Sequence, residues 1–261
     1  MEMEFNNMDP LQLLRQRRSI RSYRQESLTS IIQQQLISEA TMINTHVAGL
    51  KFQLFFNNSD PFTGFFKSYG SFENPSNYMV AVVDEGFDNI WEKSGYYAEQ
   101  FVIKAVELGL GTCFVGGTYD PSSVNVYLRA GEKILFVVLF GYPAEKIRWQ
   151  ERLVLRFLHR KKWNYSDFFE PKTDLEDSEK NFPELKNGLY GIACAPSALN
   201  KRPARIYIKE IESRKRICCR VDDSNKKNLI DLGIAKYNFN FATSTYCDWG
   251  NGSPVTGGEP Y

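Results

Sequence analysis

The sequence predicts an α+β fold built from two related halves, and three observations carry that expectation. Apolar helical stripes alternate with short strand-like runs along the chain. Residues 37–55 and 192–208 share one order: a helix end, a loop bearing an asparagine (Asn44, Asn200), then a strand. Residues 98–109 and 228–239 are both apolar helices carrying a glycine near the middle or end. A duplication that keeps one composite site leaves such a pattern, and so does chance. With 261 residues the chain can bury a large core, as one domain or as two compact halves.

The first element is a short helix that Asp9 can cap and Pro10 can open, with Leu11, Leu13 and Leu14 on its apolar side. It runs into Arg17-Arg18-Ser19-Ile20-Arg21-Ser22-Tyr23. Arginines at i, i+1 and i+4 with a serine between them can surround a phosphate with forked donors; cations at a helix C-terminus can also simply be solvated. Ser27 or Thr29 starts a second helix with apolar Ile31, Ile32, Leu36, Ile37 and Ala40. Residues 51–56 alternate like a strand, 57–77 read as a long loop, and 78–83 form a buried strand. The spacing of Ala98, Phe101, Val102, Ala105 and Leu108 predicts a helix over 95–108, stopped at Gly109.

The glycines from Gly109 to Gly117 do not form a dinucleotide fingerprint. Such a fingerprint follows a strand and opens a helix; here the helix comes first, and Phe114 stands where the third glycine belongs. These glycines instead let backbone approach a flat ligand or a neighbouring strand. Residues 133–141 are a second buried strand, and 146–162 a basic stretch whose simplest form is a solvated helical face. Residues 174–184 read as a linker or peripheral loop. A short helix over 185–193 leads to the turn Ala195-Pro196-Ser197-Ala198-Leu199-Asn200, where serine and asparagine also suit an ordinary capped turn. Strands over 206–211 and 216–221 and a helix from 225 to about 237 complete the chain.

Composition removes several functions. Basic and acidic residues number 32 and 31, so no overall charge favours nucleic acid or an anionic membrane. No segment approaches a membrane span, and the acidic start Met1-Glu2-Met3-Glu4 lacks a signal-peptide run. Five scattered cysteines argue against a disulfide framework, and only His46 and His159 are available for metal, neither at ligand spacing. A cytoplasmic protein with no metal site is expected.

The motifs together resemble the FMN-dependent nitroreductases. The resemblance rests on Arg17-Arg18-Ser19-Ile20-Arg21, Leu108-Gly109-Leu110-Gly111-Thr112, Phe140-Gly141-Tyr142-Pro143 and Ala195-Pro196-Ser197-Ala198-Leu199-Asn200-Lys201-Arg202-Pro203. Family members are homodimers with flavin at the interface, and their Pro-Ser-x-x-Asn motif follows the arginine motif by about one helix. Here that motif sits far downstream, which is similar to the fused, pseudo-dimeric subfamily. The resemblance implies a nitroreductase fold with mixed or antiparallel sheets flanked by helices. It divides the chain into a half at 1–165 and a half at 166–261, forming an internal pseudo-dimer in one monomer.

Carried over by position, Arg17, Arg18, Ser19 and Arg21 would hold the FMN phosphate, ribityl chain and pyrimidine edge. Pro196, Ser197 and Asn200 would approach from the other half, and Val115, Gly116 and Gly117 would lie by the isoalloxazine N5. Arg152 would add a phosphate contact. Arg202 replaces the family's usual glutamine, adding charge near the flavin. One FMN per chain is implied, because the arginine motif is not repeated and the Asn44 loop is degenerate. The implied reaction is reduction of FMN by NAD(P)H and then of a nitroaromatic, quinone or similar flat small-molecule acceptor. Flavin carries that chemistry, so no catalytic acid or base is nominated. Two other readings remain open: a flavin-binding sensor or store without turnover, and an α+β domain whose arginines merely cap a helix.

Overall fold

The computed structural model describes residues 9–62, 72–145 and 163–258. Arg152, the basic stretch 146–162 and the acidic N-terminus lie outside the described residues.

Helix α1 (Pro10–Gln16) starts as its residue types require: Asp9 accepts from the Gln12 amide at 3.2 Å, and Pro10 fills the first turn. Thr29 caps α2 (Ser30–His46) by accepting from the Ile32 amide. Strands β1 (Leu50–Phe55), β2 (Tyr78–Asp84), β3 (Gly111–Val115) and β4 (Glu132–Gly141) form one sheet in the order β1-β2-β4-β3. Every pair in it is antiparallel. Both faces are buried, which explains the unbroken apolar run in β2. One face (Met79, Ala81, Val83, Phe136, Val138) packs under helices, and the other (Tyr78, Val80, Val82, Val137, Leu139) under Phe62, Phe72 and Tyr119.

Helix α3 (Ile90–Glu107) lies under the sheet and is buried around most of its circumference. It starts five residues before the expected Gly95, behind Asn89 in the left-handed region (φ 55°). Glu92 hides this first turn from a hydrophobicity pattern, because the carboxylate is buried in an ion pair. Beyond β4, α4 (Leu175–Asn181) forms where a linker was expected, a correction. Its charged composition gave no apolar stripe, and Ser178 is its buried residue. Helix α5 (Leu185–Cys194) follows, then a two-stranded antiparallel ribbon of β5 (Arg205–Ile211) and β6 (Arg214–Arg220). Glu212 and Ser213 turn it with φ of 50° and 61°, the paired left-handed geometry of a two-residue hairpin.

Helix α6 (Lys227–Thr243) continues six residues past the expected end at Tyr237. Asn238 and Asn240 lie in this extension, and both are buried donors: Asn238 Nδ2 to the Gly191 carbonyl at 3.3 Å, Asn240 Nδ2 to the Val255 carbonyl at 2.7 Å. Helices α3 and α6 cross backbone to backbone. A Cβ at Gly95 would fall 2.1 Å from the Ile230 carbonyl oxygen, and one at Gly233 would fall 1.9 Å from that of Glu92. A single hydrophobic core holds α1, α3, α5 and α6 together, so residues on either side of position 165 share one interior.

The C-terminal tail is anchored by a buried ammonium. Lys236 Nζ donates to Glu92 Oε1 (2.6 Å), the Asp248 and Gly250 carbonyls (both 2.9 Å) and Ser253 Oγ (2.8 Å). The Gly250 amide returns a bond to Glu92 Oε2. A buried charge tolerates this environment because it is paired and its donors are satisfied.

Candidate functional site

The stretch after α1 leaves the helix and runs along the sheet edge. Ser19 bridges Thr112 at the start of β3, the Ile20 amide donates to the Thr112 carbonyl at 2.8 Å, and Tyr23 bridges Pro143 after β4. Gly111 is required at this contact, since a Cβ there would meet Ile20 at 2.7 Å. The segment is thereby fixed, and Arg17 is directed inward. Arg17 Nη2 donates to the Cys194 carbonyl at 3.5 Å, across 177 residues of sequence.

Cys194 ends α5, and the Pro-Ser-x-x-Asn turn begins immediately after it. Ala198–Asn200 forms one 3-10 turn in which the Asn200 amide bonds the Ser197 carbonyl at 3.0 Å. Ser197 Oγ accepts from the Arg202 amide at 2.7 Å. Arg202 then folds back over the turn: its Nε donates to Asn200 Oδ1 at 2.9 Å and its Nη1 to the Ala193 carbonyl. Leu199, Asn200 and Arg202 all occupy the left-handed region, at φ 53°, 55° and 48°. Such backbone is costly for residues other than glycine, and clusters of it mark sites where surrounding contacts impose a conformation.

Arg17 is thereby brought to the end of α5, from which Pro196, Ser197 and Asn200 follow in the chain, and its charge lies close enough to act on Arg202. Burial lowers the Arg202 pKa, and the nearby Arg17 charge lowers it further. Ser19 and Arg21 are half-buried on the segment that edges β3, while Arg18 is exposed. Val115 ends β3, and Gly116 and Gly117 follow it. They sit at the far end of β3, three or more residues from Thr112, or roughly 10 Å away along a strand. Nothing lies within 4 Å of a Cβ placed on Gly116 or Gly117. The space above that backbone is open, while the void beneath the turn, lined by Ser197, Arg202 and Asp231, is only about 10 Å³. A flat ligand does not fit beneath the turn. Asn44, expected from the sequence as the counterpart of Asn200, has its amide engaged on both sides by the Phe52 backbone, at 2.7 and 2.9 Å.

Two site carboxyls escaped the sequence reading. Asp231 accepts from the Ala198 amide with both oxygens at 3.3 Å and so holds the turn from below. Burial raises its pKa to about 7, against the lowering effects of the Ala198 amide and Lys201. Glu99 on α3 is fully buried, and its Oε1 lies 3.8 Å from Arg17 Nε, an ion pair without a hydrogen bond. Burial raises its pKa to about 7, against Arg17 and Asn238. Their sequence signal was an acidic residue inside an apolar helical face: Glu99 has Tyr96, Val102 and Ile103 at helical spacing, and Asp231 has Ile234 and Ala235. Burial also raises the Cys194 thiol, although three arginines (Arg17, Arg15, Arg202) pull it down. Among the described residues no three His, Cys, Asp or Glu side chains could hold a metal ion, and no helix is long and apolar enough to cross a membrane.

Comparison with protein families matches residues 10–243 to the family model described as "Putative TM nitroreductase". Among solved structures, the chain is similar to one described as a "putative nitroreductase" from Thermotoga maritima. Identity is 19% and the TM-score 0.56, covering 93% of this chain and 87% of that one. An "FMN-dependent Nitroreductase" from Clostridium difficile is 18% identical with a TM-score of 0.41, covering 58% of this chain and 98% of its own. A "Putative NADH Oxidase" from Clostridium acetobutylicum is 19% identical with a TM-score of 0.40, covering 58% and 99%. The comparison with curated proteins found no match.

Proposed function

Since the chain belongs to the nitroreductase family whose model spans residues 10–243, we propose that it is an FMN-dependent NAD(P)H oxidoreductase. Its acceptor would be a nitroaromatic, a quinone or a similar flat small molecule. The observation that carries this reading is the bond from Arg17 to the carbonyl of Cys194, the last residue of α5, three residues before Ser197 and 177 residues along the chain. A phosphate beside Arg17 and Ser19, with a flat ring over the turn, would extend along β3 toward open glycine backbone.

In this reading Arg17, Arg18, Ser19 and Arg21 hold phosphate, ribityl chain and pyrimidine edge. Pro196, Ser197 and Asn200 cover the opposite side, and Val115, Gly116 and Gly117 flank the reactive edge. Arg152 adds a phosphate contact. Bound FMN would supply the hydride chemistry. The chain's part is to bind and orient it, and to place guanidinium charge where negative charge develops on reduction. The halves 1–165 and 166–261 form an internal pseudo-dimer carrying one FMN, in a cytoplasmic monomer.

Arg202 favours a second reading. Its guanidinium occupies Asn200 Oδ1, so a flavin-binding sensor that does not turn over is the rival. Purified protein should be yellow, or become so with added FMN, and should consume NAD(P)H when a nitroaromatic is supplied. FMN binding without NAD(P)H consumption selects the sensor; no binding rejects both. Arg17→Ala with Arg21→Ala should release the flavin into a desalting filtrate, and full retention would remove these arginines from the site.

A further inference from the structure

Behind Arg17 lies a polar cluster that the flavin contacts do not use. Arg17 Nε, both carboxylate oxygens of Glu99 and Asn238 Oδ1 are all buried without a hydrogen-bond partner. Glu99 and Arg17 side chains are 0% and 10% exposed. Orphaned buried polar groups are rare and demand an explanation. The neighbouring charged or titratable groups are Arg17 and Arg15 from α1 and its end, Cys194 from α5, Tyr237 from α6 and Arg202 from the turn.

We propose that Glu99 is a positioning residue that, ionised, holds Arg17 as its internal counter-ion and takes up one proton from solvent when a phosphate-bearing ligand occupies Arg17. The proposal rests on the assignment of Arg17 to the FMN phosphate. Arg17 is the guanidinium paired with Glu99, at 3.8 Å, and it cannot serve that buried carboxylate and a phosphate dianion in full together. Two anions sharing a site raise the proton affinity of the less well solvated one, and here that is Glu99. The balance is simple: Glu99 carboxylate plus one solvent proton gives the neutral acid, and the Arg17 charge is turned wholly to the ligand. Asn238 stands near enough to affect the Glu99 carboxyl. Burial already brings that carboxyl to about 7, so a modest push suffices near neutral pH.

Calorimetric titration of the full-length, flavin-free chain tests this. FMN and riboflavin are each titrated at pH 8 in two buffers of different ionisation heat, for wild type and Glu99→Gln. The FMN phosphate, with a second pKa near 6, is already a dianion there. Wild type should take up at least about half a proton per FMN, and its affinity should fall by as much as about tenfold per pH unit above 7. Riboflavin, which lacks the phosphate, should bring no uptake, and E99Q should bind FMN with none. FMN binding to wild type without proton uptake overturns the proposal, whatever the variant does. Equal uptake by E99Q, or uptake with riboflavin, overturns it too while leaving the flavin assignment intact. Absence of any FMN binding by wild type removes both.

Discussion

Asp231 shows what a single buried acid does to this chain. Its carboxyl is needed to hold the Ala198 amide, yet burial lifts it to about 7. An unfolded chain releases that proton near pH 4. Between about pH 4 and 7 the folded protein therefore binds more protons than the unfolded chain, so stability falls as pH rises through this window. Asp231→Asn should flatten the fall between pH 5 and 8 by an amount on the order of 3 kcal/mol. Chemical denaturation at the two pH values measures it. An unchanged slope would mean that Asp231 titrates normally in the folded state. The residue types at the candidate site were legible: Arg17, Ser19, Ser197 and Asn200 lie in contiguous motifs. Glu99 and Asp231 were not, because an acid in an apolar helical face reads as noise until its partners, 82 and 33 residues away in sequence, are in place.

At the scale of elements, the glycine crossing of α3 and α6 is the contact least able to adapt. Alanine is favoured over glycine in a helix by about 1 kcal/mol, yet a Cβ at either position would strike carbonyl oxygen at about 2 Å. Backbone cannot swing aside as a side chain does. Gly95→Ala and Gly233→Ala should each destabilise by roughly 1–3 kcal/mol in urea unfolding, whereas Gly116→Ala, facing open space, should change little. A gain in stability at Gly95 or Gly233 would mean that the helices can separate. The same contact limits what sequence reveals. Strands β2 and β4 and helix α2 follow pattern and caps, so they were readable. The start of α3 and the end of α6 were not: Glu92, Asn238 and Asn240 are polar residues serving partners on other elements. Helix α4 has almost no apolar face and escaped for that reason.

At the scale of the molecule, Lys236 joins α3, α6 and the tail through four acceptors. Lys236→Met would leave Glu92 as an uncompensated buried charge and should cost about 3–5 kcal/mol. Because the α1, α3, α5 and α6 interior is shared, that loss should appear as one lowered thermal transition rather than as a tail that melts separately. Two resolved transitions would contradict a common core. Individual helices and strands followed from local pattern, but the sheet arrangement and the union of distant segments rested on the motif resemblance, since helical and strand periodicities say nothing about which ends meet.

The bridge from Ser19 to Thr112 and the bond from Arg17 to Cys194 also bear on how the protein is made. Thr112 is made 93 residues after Ser19, and Cys194 177 residues after Arg17, so a product cut short before α5 would still have the sheet edge to seat the basic motif but would lack the carbonyl that receives Arg17.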